Sequence, residues 1–348
     1  MKRISEKKAL KQIVEQLEKL VGNKAQPANY EPAVKLSEKR YAPDLVVEVA
    51  DFRFAVEYKS SPLVAATVSG IEQLKQYPAE PSEIRLLVTP FMGETGIEKC
   101  AEAGISWLDL SGNADVVAPG LRLKIRGEKN KFISSGRNEN PFAPKSSRIT
   151  RHLLYQPGRM WRQRELAEET GLGEGFVSRI IKSLEAQQLI SRDENGRLFV
   201  SKPSLMLEAW RQGYDFMKHE IIRGHVSGRA GEEVQARVSK KFKARSVEHA
   251  VTGLGAAWLY SRFAAFRTAS FYLQDWPDDD LLKEIEFREE TAGANVWLII
   301  PKDSDLFHGV QPIADIPCVS RMQVWLDLKS HPERAEEAAN ELWKSLEL

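Results

Sequence analysis

Residues 43–61, PDLVVEVADFRFAVEYKSS, limit the possible folds of this chain more than any other stretch. Two runs of alternating apolar residues are separated there by only Ala50 and Asp51. A two-residue loop is the commonest connection of a β-hairpin, and its length sets the register of the two strands. Val49 then pairs with Phe52. The stretch therefore predicts a hairpin with one defined register.

This register divides the hairpin into an apolar face and a polar face. The apolar face carries Leu45, Val47, Val49, Phe52, Phe54 and Val56. On the polar face Asp44 lies opposite Glu57, and two opposed carboxylates are unfavourable unless a cation lies between them. Mg²⁺ prefers oxygen ligands and would satisfy both, while Lys59 could hold or deprotonate the attacking water. The alternative is a salt-bridged sheet face on which Lys59 alone neutralises the two acids.

The polar residues of the hairpin also carry a family resemblance. Pro43-Asp44 followed by Glu57-Tyr58-Lys59 resembles the motif of the PD-(D/E)xK nuclease superfamily. The resemblance implies a restriction-endonuclease-like α/β domain, Mg²⁺ as cofactor, Asp44 and Glu57 as metal ligands, and Lys59 as a catalytic residue. Many proteins with this fold bind nucleic acid without cutting it, so a Mg²⁺-dependent DNA endonuclease and a non-catalytic binding domain both stay open.

A second element supports the same resemblance. The next helical segment contains Gln73-x-x-x-Tyr77, which is similar to the QxxxY element of RecB-like members of the superfamily. Residues at this spacing share one face of a helix, so Gln73 and Tyr77 are expected to support the metal or the phosphate. The family often adds a glutamate from the first helix, for which Glu15, Glu18 and Glu31 are candidates.

The rest of the first 132 residues predicts an α/β domain. Apolar residues at helical spacing predict a helix over residues 5–22, and later helices are expected at 68–77 and 94–103. Strands are predicted at LVVEV, FRFAVEYK, IRLLVTP, ISWLDL, ADVVAPG and LRLKIRG. Residues 133–147, rich in Gly, Ser, Pro and Asn, predict a linker.

Residues 148–203 predict three helices followed by a hairpin. A glycine turn, Gly171-Leu172-Gly173, separates the second helix from the third, and Asn195-Gly196 is a strong hairpin signal. The stretch RELAEETGLGEGFVSRIIKSLEAQQLI resembles bacterial winged-helix regulators, which implies a helix-turn-helix domain that binds double-stranded DNA. A winged helix that serves as a protein-interaction or structural module is the alternative.

The predicted DNA contacts are basic and polar side chains of this domain. They are Ser178, Arg179 and Lys182 on the third helix, Arg162 and Arg164 on the second, and Arg192 and Arg197 beside the wing turn. Arg148, Arg151 and Arg159 are also expected to suit phosphate contacts. The surrounding segment, 121–164, holds twelve Lys and Arg against two Glu, which favours contact with a polyanion.

Residues 215–348 predict an α+β domain, so the whole chain is expected to be an α/β plus α+β multidomain protein. Strand-like runs lie at 247–252, 268–274, 295–300 and 321–328, with helices at about 228–243 and 332–346. Gly253 and Gly255 predict a strand-to-helix turn, and Ser330-x-x-Glu333 predicts a capping box before the last helix.

A third resemblance covers residues 148–348. The order of winged helix, HAVTGLGAAWLYSRFAAFR and MQVWLDLKSHPERAEEAANEL resembles AbiEi-type antitoxins of type IV toxin–antitoxin systems. It implies transcription regulation of the protein's own operon and neutralisation of a nucleotidyltransferase-like toxin protein. This sequence departs from the common layout of that family because a nuclease-like domain precedes the winged helix.

Composition places the chain in a reducing compartment. Cys100 and Cys318 are isolated and lack metal-ligand spacing, which fits the cytoplasm. The charged N-terminus excludes a secretory signal, and no apolar run is long enough to cross a membrane. The sequence therefore predicts a cytoplasmic DNA-binding regulator with a possible nuclease site, or a non-catalytic repressor or antitoxin.

Overall fold

The structure, a computed structural model, describes residues 6–22, 43–78, 83–132, 140–263 and 265–346. The chain has a mixed α/β fold and divides into two compact units. One unit comprises Met1–Glu139 with Ile181–Ser191, and the other comprises Asn140–Ile180 with Arg192–Leu348. None of the helices in the described ranges is long and apolar enough to cross a membrane.

The first unit is built around a six-stranded sheet with the order β1-β2-β3-β4-β5-β6. Its elements are α1 (Glu6–Val21), β1 (Leu45–Val49), β2 (Phe52–Tyr58), α2 (Val64–Gln76), β3 (Glu83–Thr89), α3 (Glu94–Ala103), β4 (Ser106–Asp109), β5 (Ala114–Ala118) and β6 (Leu121–Ile125). Strands β2, β3 and β4 are parallel, and the remaining neighbours pair in antiparallel fashion. The predicted helix at each position and all six predicted strands are confirmed.

The hairpin has the register that its turn length predicts. Val49 pairs with Phe52 and Glu48 with Arg53, and Ala50 adopts a positive φ of 53° in the two-residue turn. The apolar face of β1 and β2 packs against α1, whose Ala9 is fully buried in the same core. This core fixes which side chains point to the opposite face.

The opposite face of β2 differs from the expectation of an open polar surface. Helices α2 and α3 cover it through a second core that includes Ile71, Leu87 and Trp107. Ala55 is fully buried, and Glu57 is only 2% exposed. β2 lies between β1 and β3, and β3 is its parallel neighbour. Helix α2 connects β2 with β3 and covers this face, so both faces of β2 are buried.

Residues 147–200 form the three helices and the hairpin that were expected in this segment, of which Ile181–Ser191 belongs to the first unit and the rest to the second. The helices are α4 (Ser147–Tyr155), α5 (Gln163–Thr170) and α6 (Glu174–Ala186), and the hairpin consists of β7 (Ile190–Arg192) and β8 (Leu198–Val200). Of the predicted linker, residues 133–139 lie outside the described residues, and 140–146 form turns that lead into α4. All four predicted elements are therefore present.

The remainder of the second unit contains a seven-stranded mixed sheet with the order β12-β9-β13-β11-β10-β15-β14. Its strands are β9 (Glu220–His225), β10 (His249–Thr252), β11 (Ala269–Leu273), β12 (Arg288–Glu289), β13 (Val296–Ile300), β14 (Gln311–Ile313) and β15 (Ile316–Cys318). Its helices are α7 (Pro203–Gly213), α8 (Gly231–Ala244), α9 (Gly253–Ser261), α10 (Asp279–Glu284), α11 (Arg321–Asp327) and α12 (Ala335–Lys344). The strand-to-helix turn at Gly253 is confirmed, and Gly253 has a φ of 60°.

Two expectations for this region are wrong. The strand-like run at 321–328 forms α11 instead, and the hydroxyl of Ser320, its N-cap residue, accepts a hydrogen bond from the Gln323 N–H. The capping box is absent because Arg334 is the N-cap residue of α12. The Glu333 carboxylate instead accepts hydrogen bonds from the backbone and hydroxyl of Thr268. α11 is buried on almost every side, so its apolar residues have no helical period.

Candidate functional site

Glu57 and Lys59 lie at the carboxyl end of β2, on the face that α2 and α3 cover. Because β2, β3 and β4 are parallel, their carboxyl ends meet at one edge of the sheet, the usual place for a ligand in an open α/β sheet. In the observed register Glu57 lies beside Leu87 of β3, and Leu87 lies beside Trp107 of β4. The hairpin and the parallel strands thus place both predicted residues at this edge.

Lys59 joins two of the other predicted residues. Its Nζ atom donates a hydrogen bond to Glu57 Oε1 at 2.7 Å and another to Gln73 Oε1. The Lys59 side chain is 19% exposed and that of Glu57 is 3% exposed. Such a shielded ion pair interacts more strongly than a surface pair. Gln73 of α2 thus contacts the residue that follows β2.

Asp44 lies just before β1 and turns its carboxylate toward the end of β2. Its Oδ2 atom accepts a hydrogen bond of 2.8 Å from the backbone N–H of Tyr58. Burial and, after it, the negative charge of Glu57 raise the pKa of Asp44 to about 6, although the hydrogen bond from the Tyr58 N–H and the charge of Lys59 lower it. The two carboxylates therefore interact unfavourably in the ionised state, as the opposed pair in the hairpin predicts.

The first helix brings an unexpected acid toward this pair. Glu6, at the start of α1, is close enough for its charge to raise the pKa of Asp44. Of the glutamates considered from the sequence, Glu15 is exposed and pairs with Lys11, and Glu31 lies outside the described residues. The sequence signal for Glu6 is weak, because it precedes the first apolar position of the helix.

Tyr77 does not share the position of Gln73. Helix α2 ends at Gln76, and Tyr77 has an extended backbone with φ −71° and ψ 123°. The Tyr77 N–H still donates a hydrogen bond to the Gln73 carbonyl at 3.2 Å, but the Tyr77 hydroxyl lies 3.5 Å from Glu83 Oε1. Glu83 is registered with Arg53 at the start of β2, away from Lys59. The structure thus brings Asp44, Glu57, Lys59 and Gln73 to one end of β2 and leaves Tyr77 apart.

The donor atoms suit Mg²⁺ in kind. Asp44 and Glu57 offer carboxylate oxygens, and Mg²⁺ is commonly held by one or two carboxylates together with water. A cation beside two neighbouring carboxylates relieves their repulsion, and Lys59 already supplies one such charge to Glu57. Within the described ranges, no group of three or more His, Cys, Asp or Glu side chains is arranged to hold a metal. A metal here would therefore depend on two carboxylates and on solvent or substrate oxygens.

Asp109 is a buried acid on the same sheet face that sequence reasoning did not select. It follows Leu108 at the end of β4 and is registered with Thr89 of β3. Its carboxylate accepts from the N–H groups of Met92, Gly112 and Asn113 and from the Asn113 side chain, at 2.8–3.1 Å. These donors satisfy the carboxylate, so Asp109 fixes two loops. The Asp-Leu-Ser-Gly-Asn sequence, typical of a side-chain-stabilised turn, was the available signal.

The outer side of α6 carries the predicted third-helix contacts. Arg179 and Lys182 are exposed and Ser178 is partly exposed. The Arg179 guanidinium lies 5.7 Å from the centre of the Phe176 ring. Because residues four apart follow one another on a helix surface, Ser178 and Lys182 lie on one side of α6.

The predicted contacts outside α6 are exposed, and several are engaged locally. Arg162 precedes α5, and Arg164 pairs with Glu168 at 2.9 Å. In the hairpin, Arg192 donates to the Gly196 carbonyl at 3.1 Å, and Arg197 lies 3.5 Å from the Asp193 carboxylate. Exposed pairs of this kind contribute little stability, so they can exchange for other anions at small cost.

The arginines of α4 have a different role from the one expected. Arg148 pairs with Asp303 at 2.8 Å, and Arg151 pairs with Asp305 at 2.8 Å. The Arg151 side chain is only 5% exposed, so the expectation that it contacts phosphate is wrong. Arg159 is stacked on Trp161. Arg148 and Arg151 of the basic segment 121–164 are therefore neutralised within the fold.

A buried polar network in the second unit also escaped sequence reasoning. Asp327, at the end of α11, is fully buried and accepts hydrogen bonds from Thr252 Oγ1 at 2.5 Å, Gln323 Nε2 at 2.8 Å and the Tyr214 hydroxyl. Burial raises the pKa of Asp327 to about 6. Gln323 also accepts from Arg151, so the network connects α4 with the centre of the large sheet.

We compared the chain with protein families, curated proteins and solved structures. The chain matches no protein-family model, and no curated protein or solved structure is significantly similar to it.

Proposed function

We propose that the protein binds double-stranded DNA through a winged helix formed by α4, α5, α6 and the β7–β8 hairpin. The observation that carries this proposal is the outer side of α6, where Arg179 and Lys182 are exposed and Ser178 is partly exposed. A recognition helix of this kind contacts base edges in the major groove. The proposal makes the chain a regulator of the winged-helix class.

The basic residues divide into two roles under this proposal. Arg179 is the candidate for a base contact, because a guanidinium can bond two acceptors of a guanine at once. Lys182, Arg162, Arg164, Arg192 and Arg197 are candidates for phosphate contacts, which position the protein without selecting sequence. Arg148 and Arg151 are not included, because they bond to Asp303 and Asp305.

The test is selection of preferred sequences from a random duplex pool, followed by titration of the selected duplex. Arg179→Ala should relax the sequence preference, with a loss of about 1–3 kcal/mol at one base pair. Lys182→Ala should weaken binding to all sequences and reduce the salt slope by about 1. Arg334→Ala is the matched control, because Arg334 is exposed on another part of the same unit. Unchanged preference and affinity in Arg179→Ala would contradict the recognition-helix assignment.

We further propose that the first unit hydrolyses phosphodiester bonds with Mg²⁺ at Asp44, Glu57 and Lys59. The supporting observation is the convergence of two carboxylates, one with a raised pKa, and a shielded lysine at the carboxyl ends of parallel strands. The resemblance to PD-(D/E)xK nucleases implies the same roles, with Asp44 and Glu57 as metal ligands and Lys59 as a catalytic residue. The competing function is a non-catalytic repressor or antitoxin, favoured by the ion pair that already neutralises Glu57.

The side chains would divide the work in the hydrolytic case. Asp44 and Glu57 would hold Mg²⁺, which when bound supplies a Lewis acid for the phosphate and its attacking water. Lys59 would orient the water or stabilise charge on the phosphate, as Gln73 holds its ammonium group through a hydrogen bond. Tyr77 is left out of the reacting group because its hydroxyl lies against Glu83.

Plasmid nicking with Mg²⁺ or Mn²⁺ tests this second proposal. Wild-type protein should nick, and Lys59→Ala and Glu57→Gln should each reduce the rate at least about a hundredfold, the scale for one electrostatic catalytic group. Lys75→Ala serves as control because Lys75 is an exposed residue of α2. Absence of nicking, or equal nicking by wild type and Lys59→Ala, would favour the non-catalytic function.

The antitoxin resemblance motivates a partner for the C-terminal region. We propose a nucleotidyltransferase-like toxin as that partner, in keeping with the family resemblance of residues 148–348. The acidic loop after β11 exposes Trp276 to 40%, which gives a basic partner both an apolar and an ionic contact. Co-purification of a co-expressed toxin should weaken in Trp276→Ala and persist in Lys59→Ala; retention by Trp276→Ala would remove this loop from the interface.

A further inference from the structure

The first unit contains a cleft beside the edge strand of its sheet, and its Trp107 lies two strands from Glu57. The cleft has a volume of about 430 Å³. Its walls come from the last turn of α3, from β4 and from the β5–β6 hairpin, and they include Cys100, Gly104, Trp107, Val117, Arg122 and Arg126. Val117 is 54% exposed, so an apolar side chain stands at the opening. The cleft thus combines an aromatic ring, an apolar rim and two guanidinium groups.

The charge of the cleft favours an anion. Arg122 and Arg126 each lie 3.3 Å from a different oxygen of the Asp115 carboxylate. Lys124 is exposed on β6 and is registered directly with Asp115. Three cations therefore surround one carboxylate. Because these pairs are partly exposed, the arginines can turn toward a ligand at small cost.

The indole of Trp107 forms the base of the cleft. The Arg126 guanidinium lies 4.7 Å from the centre of the Trp107 ring and covers it, and Trp107 is 2% exposed. The covering side chain is itself 36% exposed. A planar group that stacks on the indole would therefore displace the partly exposed Arg126 guanidinium, which could then bind an attached anion.

We propose that this cleft binds one nucleotide unit of a single-stranded nucleic acid. The base stacks on Trp107 in place of the Arg126 guanidinium, and the adjoining phosphates bind Arg122 and Arg126. Stacking of a base on an aromatic side chain changes affinity by roughly five- to a hundredfold per base, which exceeds the usual contribution of an exposed cation on an aromatic ring. This site goes beyond the proposed duplex binding and hydrolysis, since it requires neither α6 nor Mg²⁺.

The test uses the full chain and a fluorescein-labelled dT12 oligonucleotide without divalent metal. Arg122→Glu and Val117→Glu should each reduce affinity at least about tenfold, and Arg122→Ala should reduce the salt slope by about 0.7, the value for one single-strand phosphate. Lys75→Glu makes the same charge change at an exposed site on α2 and should leave affinity within about twofold. Equal affinity of Arg122→Glu and wild type would overturn the proposal.

Two further arms identify the ligand and separate this site from the other proposals. Photocrosslinking with 5-iododeoxyuridine in the oligonucleotide should label Trp107, and dTMP should compete while inorganic phosphate should not. Crosslinking only elsewhere, or equal competition by a poly-glutamate peptide, would overturn the nucleotide assignment. The dT12 assay contains no divalent metal and no duplex, so failure of plasmid nicking or of duplex recognition would leave the effect of Arg122→Glu on dT12 affinity unchanged.

Discussion

Arg151 of α4 and Asp305 form a 2.8 Å ion pair in which only 5% of the arginine side chain is exposed. Arg151 also donates to Gln323 of the buried network, and neighbouring His152 stacks on His308 with ring centres 4.1 Å apart. These contacts lie within one compact unit. They make α4 a structural anchor of that unit, which explains why its basic side chains are unavailable to DNA.

Arg151→Ala is expected to destabilise the second unit by about 3 kcal/mol, because Asp305 would keep a shielded charge without its partner. Urea unfolding followed by tryptophan fluorescence measures the change. Arg164→Ala is the matched control: Arg164 pairs with Glu168 on the surface, with side-chain exposures of 78% and 64%, so the change should stay within about 0.5 kcal/mol. Equal effects of the two substitutions would contradict the anchoring role.

Asp44→Asn is expected to stabilise the protein at pH 7.5 by about 1–3 kcal/mol. The wild-type carboxylate is ionised there although burial and Glu57 raise its pKa to about 6, and this penalty disappears as the pH falls below 6. The amide oxygen can still accept from Tyr58. Asp51→Asn, at the exposed hairpin turn, should change stability little. A gain that is independent of pH would contradict this explanation.

Mg²⁺ should also stabilise the native state, by neutralising the same carboxylate pair. Thermal unfolding of wild type should shift upward with millimolar Mg²⁺, because a ligand that binds only the native state stabilises it. The shift should vanish in Asp44→Asn and persist in Asp51→Asn. This measurement does not depend on catalysis, and a shift of equal size in both variants would place the ion elsewhere.

The candidate site was predictable from sequence as far as local periodicity extends. The two-residue turn and the alternation of β1 and β2 sufficed for the register and for the common face of Glu57 and Lys59. The burial of that face was not predictable, because it depends on where α2 packs. The side-chain position of Tyr77 was not predictable, because Tyr77 is the C-cap residue of α2 and the exact end of a helix is hard to derive from sequence.

The long-range partners of charged residues were also beyond the sequence. Arg151 and Asp305 lie 154 residues apart, and nothing in their local patterns connects them. The helix α11 was mistaken for a strand because a segment buried on nearly all sides shows no amphipathic period. Composition thus indicated a basic region correctly and left open which of its charges face solvent.

Gly70→Ala should reveal how closely α2 packs over the site. A methyl group at Gly70 would overlap Leu87 Cδ1 and lie 3.3 Å from two carbons of Lys59. We expect a net loss of about 1–2 kcal/mol in urea unfolding, since overpacking outweighs the gain in helix propensity. Gly175→Ala in α6, with open space around it, should cause no loss. Stabilisation by Gly70→Ala would show that the helix stands farther from β2.

Acidification should weaken the second unit. Burial lowers the pKa of His219 and of His331 from 6.5 to about 4, so the unfolded chain takes up protons first and stability is lost as the pH falls from 6.5 toward 4. Asp327, with a pKa raised to about 6, opposes this loss below pH 6. The stability lost through the two histidines exceeds the stability gained through the one carboxyl group, so the urea midpoint at pH 5 should lie below that at pH 7.5. His331→Gln should reduce this difference, and an unchanged difference would assign it to other groups.

Glu57 and Lys59 point to the same face of the sheet because successive side chains of a strand alternate between its two faces. Loss of one residue from β2 would turn both side chains toward α1, whereas loss of two would return them to the face beneath α2. The strand therefore tolerates length changes only in even steps. Insertion or deletion, more than substitution, is thus the change to which this edge of the sheet is most sensitive.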